Sequence, residues 1–175
     1  AQLRTAVGVV PQDPFLFSTT LDENVRFAAR DAGHEAVVAA ASAAGIADDI
    51  EAFPDGYATQ VGERGVTLSG GQKQRATLAR AILADPKVIV LDDALSSVDA
   101  RTERSILASL DEVLSRRTSI VITHRIATIQ DADRIAVVED GRIAEIGDHR
   151  TLLARGGVYA ELFRQQRLEE ELATL

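Results

Sequence analysis

The feature that most limits how this chain can fold is an unbroken apolar run that ends in two acidic residues. Val88-Ile89-Val90-Leu91 is followed directly by Asp92-Asp93. Continuous runs rich in β-branched residues are typical of parallel strands that are covered on both faces. A second apolar run ends at Thr123 and is followed by His124. The two runs therefore predict two covered strands of a parallel sheet, each with polar residues at its carboxyl end.

Strand and helix patterns alternate along the chain, which predicts an α/β fold with a mostly parallel sheet. Residues 15–84 are predicted to be mostly helical, as an insertion between two sheet segments. Asp140-Gly141 lies between two apolar runs and predicts a β-hairpin. The predicted strands are Thr5–Val10, Lys87–Leu91, Thr118–Thr123, Ile135–Glu139 and Arg142–Ile146, and the predicted helices are Thr20–Arg30, His34–Ala44, Lys73–Leu83, Ala100–Leu114, Thr151–Ala154 and Val158–Leu172.

A glycine-containing segment, Leu68-Ser69-Gly70-Gly71-Gln72, directly precedes one of the predicted helices. We call it the glycine segment. An anion can bind at such a helix start, because the first N–H groups have no partner within the helix and the positive end of the helix dipole lies there. Ser69 adds a hydroxyl group and Gln72 adds a neutral amide. The alternative is a Ser N-cap followed by flexible glycines.

Polar side chains follow three of the predicted strands. An apolar strand that ends in Asp, as at Asp92, is how phosphoryl-transfer enzymes hold Mg²⁺, and Asp93 could position or deprotonate a water. His124 could stabilise charge on a transferred phosphoryl group, and Gln12 could bind Mg²⁺ or orient water. Each residue also has a structural alternative: a capping role for the two acids, a hydrogen-bonded loop residue for His124, and an ordinary loop position for Gln12.

Composition excludes several classes of function. The 175 residues carry 19 basic and 27 acidic side chains, for a net charge of −8, which argues against a general nucleic-acid-binding surface. There is no cysteine, so thiolate metal sites are excluded. No stretch approaches the ~20 apolar residues of a membrane span, and no basic region precedes an apolar segment, so we expect no signal peptide in these residues. The chain begins with Ala1 rather than Met, which predicts a piece of a longer protein.

Five motifs, in order along the chain, resemble those of the ABC ATPases. The glycine segment resembles their signature motif and is one of the five. The other four are Val10-Pro-Gln-Asp13 (Q-loop), Val88-Ile-Val-Leu-Asp-Asp93 (Walker B), Ser96-Ser-Val-Asp99 (D-loop) and Thr123-His124-Arg125 (H-loop). In addition, Thr59–Gly65 looks like the X-loop of ABC exporters, which contacts the coupling helices of the transmembrane domain.

The resemblance implies a fold and an activity. The fold is part of a RecA-like P-loop NTPase core (residues 1–14 and 85–175), a helical signature subdomain (residues 15–84), and a C-terminal β-hairpin with helices. The activity is ATP hydrolysis with Mg²⁺, coupled to transport. The implied roles are catalysis for Gln12, Asp93 and His124, Mg²⁺ binding for Asp92 and Gln12, and contact with a partner subunit's nucleotide for Ser69, Gly70, Gly71, Gln72 and Asp99.

Further implications concern partners and place. ABC domains pair head to tail, so the expected partners are a second nucleotide-binding domain, in a homodimer or heterodimer, and a transmembrane domain contacted by Thr59–Gly65 and the Gln12 region. No nucleic-acid partner is expected. The expected location is the cytoplasmic face of the plasma (inner) membrane, as part of an exporter.

Two departures from the family pattern matter. The Walker A loop, Gly-x-x-x-x-Gly-Lys-Ser/Thr, does not occur in the 175 residues. We therefore expect the chain to be the carboxyl part of a nucleotide-binding domain, with weak ATP binding and no activity alone. Second, Asp93 stands where the family usually has the catalytic Glu, a change that resembles the degenerate site of heterodimeric exporters. A side chain shorter by one methylene would misplace the base, which can cost on the order of a hundredfold in rate.

Two other functions remain open from the motifs alone. Soluble ABC ATPases of DNA repair and translation carry the same five motifs, but they usually lack the loop resembled by Thr59–Gly65. A non-hydrolysing regulatory subunit would be consistent with Asp93. The intact Ser69, Gly70, Gly71 and His124 argue that part of the catalytic machinery is kept.

Overall fold

The computed structural model describes residues 6–62, 66–98 and 100–173. The chain divides into two compact units, Ala1–Ile122 and Thr123–Leu175. Each unit is described by itself. The predicted division into a core (1–14 and 85–175) and a helical subdomain (15–84) stays a prediction.

Within its described residues, the first unit contains three strands and five α-helices, together with a short 3₁₀ helix at Gly56–Ala58. Its strands are β1 (Val7–Val10), β2 (Val88–Asp92) and β3 (Thr118–Ile122), and its helices are α1 (Leu21–Arg26), α2 (His34–Ala43), α3 (Ala47–Glu51), α4 (Gly70–Leu83) and α5 (Ala100–Ser115). The second unit contains α6 (Ile126–Ile129), β4 (Ile135–Glu139), β5 (Arg142–Gly147), α7 (His149–Arg155) and α8 (Val158–Ala173).

The three strands of the first unit form a parallel sheet in the order β1-β2-β3. Val10 pairs with Leu91, and Leu91 pairs with Val121, so all three carboxyl ends lie at one edge. The α/β class and the parallel sheet are confirmed. Parallel strands need crossover connections, and residues 15–84 and α5 supply them here.

The two faces of this sheet differ in burial, because side chains alternate along each strand. Val10, Ile89 and Leu91 lie on one face and belong to a buried core with residues of α4 and α5. Val9 and Ile120 lie in one row of the other face and are 55% and 48% exposed. The prediction that β3 is covered on both faces is therefore wrong, because the helices described here pack on one face only.

The helical part of the first unit begins with a capping box, as predicted. The backbone N–H of Glu23 donates to Thr20 Oγ1 at 3.1 Å, and that of Thr20 donates to Glu23 Oε2 at 3.4 Å. Helix α1 ends at Arg26 instead of the predicted Arg30. Helix α2 is followed by Gly45, whose φ of +67° lies in the left-handed region that glycine adopts easily.

The second unit is built on the predicted hairpin. Asp140 and Gly141 both have positive φ angles, of 48° and 72°, as a two-residue turn of type I′ requires. Strands β4 and β5 pair antiparallel, and a small core of Ile126, Ile135 and Leu152 packs with the buried Tyr159. Among the described residues, no helix combines the length and the apolar character needed to span a bilayer.

Candidate functional site

The glycine segment forms the start of α4, and its two polar side chains cap that helix. Ser69 Oγ accepts a hydrogen bond from the Gln72 N–H at 3.2 Å, and Gln72 Oε1 accepts one from the Ser69 N–H at 3.0 Å. This capping box takes up the N–H of Gln72, and Ser69 and Gly70 lie exposed. The first-turn N–H groups of Gly70 and Gly71 have no acceptor within the helix, so this end keeps two donors that can meet an anion.

Asp49, in α3, holds the glycine segment from the side. Its Oδ1 accepts from Gln72 Nε2 at 2.8 Å, and its Oδ2 pairs with Arg75 Nη1 at 2.7 Å. Arg75 also donates to the Gly45 carbonyl. Both ends of the Gln72 amide are therefore bound within the domain, which fixes its orientation.

The glycines of this segment have a packing role that the sequence did not predict. A Cβ atom added to Gly71 would lie 2.9 Å from the carbonyl oxygen of Ser97, closer than real Cβ atoms come. A Cβ on Gly70 would lie 3.4 Å from Ser97 Cβ, which is an ordinary contact. Gly71 is therefore required because the loop after β2 passes directly against the start of α4.

Asp92 and Asp93 lie at the carboxyl end of β2, as predicted. Asp92 is the last residue of the strand, and the N–H of Asp93 donates to the Ile122 carbonyl at 2.8 Å. The Asp93 carbonyl accepts from the Ser96 N–H at 3.1 Å and starts a turn. Asp93 has a φ of +46°, in the left-handed region that Asp tolerates better than most side chains.

Gln12 lies at the same edge of the sheet. It follows Val10, which pairs with Leu91, and it is exposed. Its carbonyl oxygen lies 3.4 Å from Nε2 of Gln74, a buried residue of α4 that no sequence pattern singled out. The structure therefore brings Gln12, Asp92, Asp93 and the glycine segment into one connected part of the first unit.

Arg80, in α4, fixes the chain that leaves the Gln12 region. It donates to the Asn24 carbonyl at 2.7 Å, to Asn24 Oδ1 at 3.0 Å and to the Phe15 carbonyl at 3.0 Å. Its guanidinium also lies over the Phe17 and Phe27 rings, at 5.5 and 5.7 Å from their centroids. Burial lowers the pKa of Arg80 from its usual value. These contacts tie the segment after Gln12 to the helix that the glycine segment begins.

His124 belongs to the second unit and is exposed. Arg125 separates it from the unpredicted single-turn helix α6. Its carbonyl accepts from Gln166 Nε2 in α8, and Gln166 Oε1 accepts from the Ile126 N–H at 2.9 Å. The remaining predicted site residue, Asp99, lies outside the described residues.

The predicted X-loop is described only in part, because Glu63–Gly65 lie outside the described residues. Thr59 is buried, and its carbonyl accepts from the Leu21 N–H at 3.0 Å. The Val61 N–H donates to the Thr19 carbonyl at 2.9 Å. The nearby Tyr57 has a raised pKa, because of burial first and the acidic Glu51 and Asp22 second. The first half of the loop is thus fixed to the start of α1.

Within the described ranges, no group of three or more histidine, aspartate and glutamate side chains is placed to hold a metal ion. Asp92 and Gln12 would supply only two oxygen donors. Mg²⁺ usually keeps several waters and is held by one or two carboxylates together with substrate phosphates. The two residues therefore fit a Mg²⁺ that arrives with a nucleotide, and they do not fit an all-protein metal site.

Comparison with known proteins gives consistent matches. A family model described as ABC transporter matches residues 1–96. The chain is 53% identical over 171 residues to ATP-binding cassette sub-family B member 6 of Homo sapiens, covering 98% of this chain and 20% of that protein. It is 50% identical over 167 residues to the mitochondrial potassium channel ATP-binding subunit of Xenopus tropicalis, covering 95% of this chain and 24% of that protein.

A solved structure, that of a bacterial Atm1-family ABC exporter with ATP bound, matches with a TM-score of 0.87 and 47% sequence identity. The match covers 94% of this chain and 29% of that chain. The chain thus spans about a fifth to a quarter of the length of these curated relatives.

Proposed function

Because the chain belongs to the ABC transporter family, as part of an exporter-type nucleotide-binding domain, we propose that it serves as the ATP-binding and ATP-hydrolysing subunit of an exporter. ATP binding and hydrolysis at a head-to-tail interface with a second nucleotide-binding domain would drive transport through a transmembrane domain. The observation that carries the proposal is the start of α4. There, a capping box and Asp49 hold the glycine segment in place while the N–H groups of Gly70 and Gly71 have no acceptor within the helix.

The glycine segment acts on a nucleotide held by the partner subunit. Ser69 and the two glycines present neutral donors at the positive end of a helix dipole, which suits a γ-phosphate. Gln72 fixes the conformation of this helix start, because its amide is hydrogen-bonded to Ser69 and Asp49. For Asp99, which lies outside the described residues, we propose contact with the same nucleotide, as the family resemblance implies.

The carboxyl end of the sheet acts on the nucleotide of this subunit. Asp92 and Gln12 would hold Mg²⁺ together with phosphate oxygens, and the ion would supply neutralisation of phosphate charge. Asp93 orients or deprotonates the attacking water, and His124 stabilises charge on the transferred phosphoryl group. The 175 residues contain no Walker A loop, so we expect the chain alone to bind ATP weakly. Tight one-to-one binding in calorimetry would contradict this.

A matched pair of histidine variants tests the ATPase role. In the full-length protein with its partner, His124→Ala should lower kcat for ATP by about 10²-fold, the usual cost of losing one group that stabilises transition-state charge. His34→Ala, at an exposed histidine of α2, should leave kcat within about twofold of wild type, since it changes only a surface side chain. Equal rates for the two variants, or a wild-type protein that hydrolyses no ATP, would overturn the proposal.

Asp93 makes this subunit the slow half of a heterodimer. Its positive φ is a conformation that Asp accepts more readily than Glu, and its carboxylate reaches less far. In the full heterodimer, Asp93→Glu should speed hydrolysis at this subunit's own site and preserve it at the partner's. Complete loss of turnover, or a wild type that already hydrolyses at both sites equally, would reject this part of the proposal.

Two segments of this subunit are proposed to contact the transmembrane domain. Thr59–Gly65 and the Gln12 region face the coupling helices of the transmembrane domain, and the subunit sits at the cytoplasmic face of the plasma (inner) membrane. The support is that Thr59 and Val61 form hydrogen bonds with the start of α1 and the residues before it, and that Arg80 of α4 binds the Phe15 carbonyl. The matched solved structure is named an ABC exporter, and one relative is named a mitochondrial potassium channel ATP-binding subunit, which favours an exporter over a soluble repair or translation ATPase.

A further inference from the structure

Gln74 is a polar residue in an unusual place. It lies in α4, one helical turn after Gly70 and Gly71, and only 1% of its surface is exposed. A buried amide is costly unless its donors and acceptor are paired, so such a residue either destabilises a fold or joins fixed partners. Gln74 is paired at both ends of its amide.

The partners of Gln74 belong to two different loops. Its Oε1 accepts from the Ser97 N–H at 2.9 Å, and its Nε2 donates to Ser96 Oγ at 3.0 Å. The same Nε2 lies 3.4 Å from the Gln12 carbonyl oxygen, a long contact. One side chain therefore joins α4 to the loop after β2 and to the segment after β1.

Ser97 is held from two sides at this point. Its N–H is bound by Gln74, its carbonyl oxygen lies against Gly71, and its Cβ is within contact of Gly70. Residues 70, 71 and 74 of a helix lie on one face, because they are three and four positions apart. This face of α4 fixes Ser97 in the loop that follows β2.

We propose that Gln74 is a positioning residue that keeps the glycine segment, the loop of Ser96 and Ser97, and Gln12 in one fixed arrangement. It does not touch the nucleotide. It ensures that the groups that meet the partner's nucleotide and the groups at this subunit's own site are placed together. The role in hydrolysis rests on the proposed function, whereas the fixed arrangement itself is a property of the domain.

The arrangement can be measured without activity. The 175 residues contain no cysteine, and a Cβ on Gly70 would lie 3.4 Å from Ser97 Cβ, near the lower limit for a disulfide. In the full-length protein cleared of other cysteines, Gly70→Cys with Ser97→Cys should oxidise quickly to an intrachain disulfide. Adding Gln74→Met, which keeps the length and removes the amide, should slow that oxidation at least about fivefold, because Ser97 is no longer held. Gln165→Met, at an exposed glutamine of α8, is the matched control and should not slow it.

Activity gives the second readout. In the full-length protein, Gln74→Met should lower kcat for ATP by about 10- to 100-fold and change KM less than about threefold, since misplacement of reacting groups by about 1 Å costs this much. Adding Ser96→Ala to it should lower kcat by less than Ser96→Ala does alone, because the hydrogen bond shared by the two side chains is already lost. An unchanged oxidation rate with an unchanged kcat overturns the inference, as does a KM that rises in step with the loss of kcat.

Two cases remain to be separated. If Gln74→Met prevents folding, Ser96→Ala alone decides: slower oxidation and a three- to tenfold lower kcat support the inference, and wild-type values for both overturn it. If the wild-type protein hydrolyses no ATP and Gln74→Met still slows oxidation, the proposed function fails while the positioning role stands.

Discussion

The start of α4 and the carboxyl end of β2 hold their candidate functional groups by different means. At the start of α4, side chains do the holding: Ser69 and Gln72 cap each other, and Asp49 binds Gln72 and Arg75. At the end of β2, the backbone does it: the Asp93 N–H and carbonyl are both bound, and its φ is positive. Substitutions should therefore act through lost side-chain partners at the first region and through backbone conformation at the second.

Gly71→Ala should have the largest effect, because it forces a methyl group to within 2.9 Å of the Ser97 carbonyl. Overpacking of this kind typically costs about 1–3 kcal/mol. Urea unfolding would measure it, with Gly70→Ala as the control whose Cβ makes an ordinary contact at 3.4 Å. If both variants lose the same stability, close approach of the loop is not what requires glycine at position 71.

Asp49→Ala should come next, because it removes the shared partner of Gln72 and Arg75. Loss of a hydrogen bond to a charged group costs about 1.5–3 kcal/mol, and we expect the lower end because Asp49 is partly exposed. Asp48→Ala, at the exposed neighbour in the same helix turn, should cost only a few tenths of a kcal/mol. A comparable loss in the Asp48 variant would show that helix α3, and not the Asp49 contacts, carries the effect.

Substitution of Asp93 tests whether backbone conformation decides stability at the carboxyl end of β2. Gly adopts positive φ freely, whereas Ala pays roughly 1–2 kcal/mol for it. We therefore expect Asp93→Gly to be more stable than Asp93→Ala by about 1 kcal/mol in thermal unfolding, since both variants lack the carboxylate and differ only in how readily they adopt this φ. Should Gly destabilise as much as Ala, the side chain would hold this turn as it does at α4.

The smallest effect is expected at Asp148, a charged N-cap that contrasts with the neutral Ser69 N-cap of α4. Asp148 caps α7 and accepts from the Thr151 N–H at 2.8 Å, which lowers the pKa of its carboxyl. The folded-state pKa is below the unfolded one, so this stabilisation is present above pH ~3.9 and is lost as pH falls through the folded value. Asp148→Asn should therefore flatten the acid limb of a stability–pH profile recorded by urea unfolding. An unchanged acid limb would show that other carboxylates cause the loss of stability at low pH.

The sequence predicted the elements well where periodicity or capping chemistry was strong. The hairpin at Asp140-Gly141 and the parallel strands are confirmed, because each depends on residues close together in the chain. Helix α4 is confirmed as an element, but it starts at Gly70 rather than at the predicted Lys73, because the capping box of Ser69 and Gln72 takes both glycines into the first turn. Contacts between distant segments were not predictable in this way. The packing of Gly71 on Ser97 and the pairing of Gln74 join residues more than 20 positions apart, and nothing in their local sequence marks them.

Two further misses have local causes. Helix α6 is a single turn, too short for a periodic apolar pattern to appear. The sequence did not predict that Ile120 and Ile122 are exposed. An apolar run shows that the side chains on both faces of a strand favour burial, but it does not show which other segments pack on those faces. Asp99 and Glu63–Gly65 lie outside the described residues, so the predictions made for them stay predictions.

The open face of the sheet has a practical consequence for anyone who handles this chain in solution. Val9, Ile120 and Ile122 form an exposed apolar patch of β-branched side chains, and about half of each side chain is exposed to solvent. Such a patch binds hydrophobic dyes, detergent tails and other copies of the same chain. Concentration and detergent therefore become experimental variables, and light scattering belongs beside every titration of the isolated 175 residues.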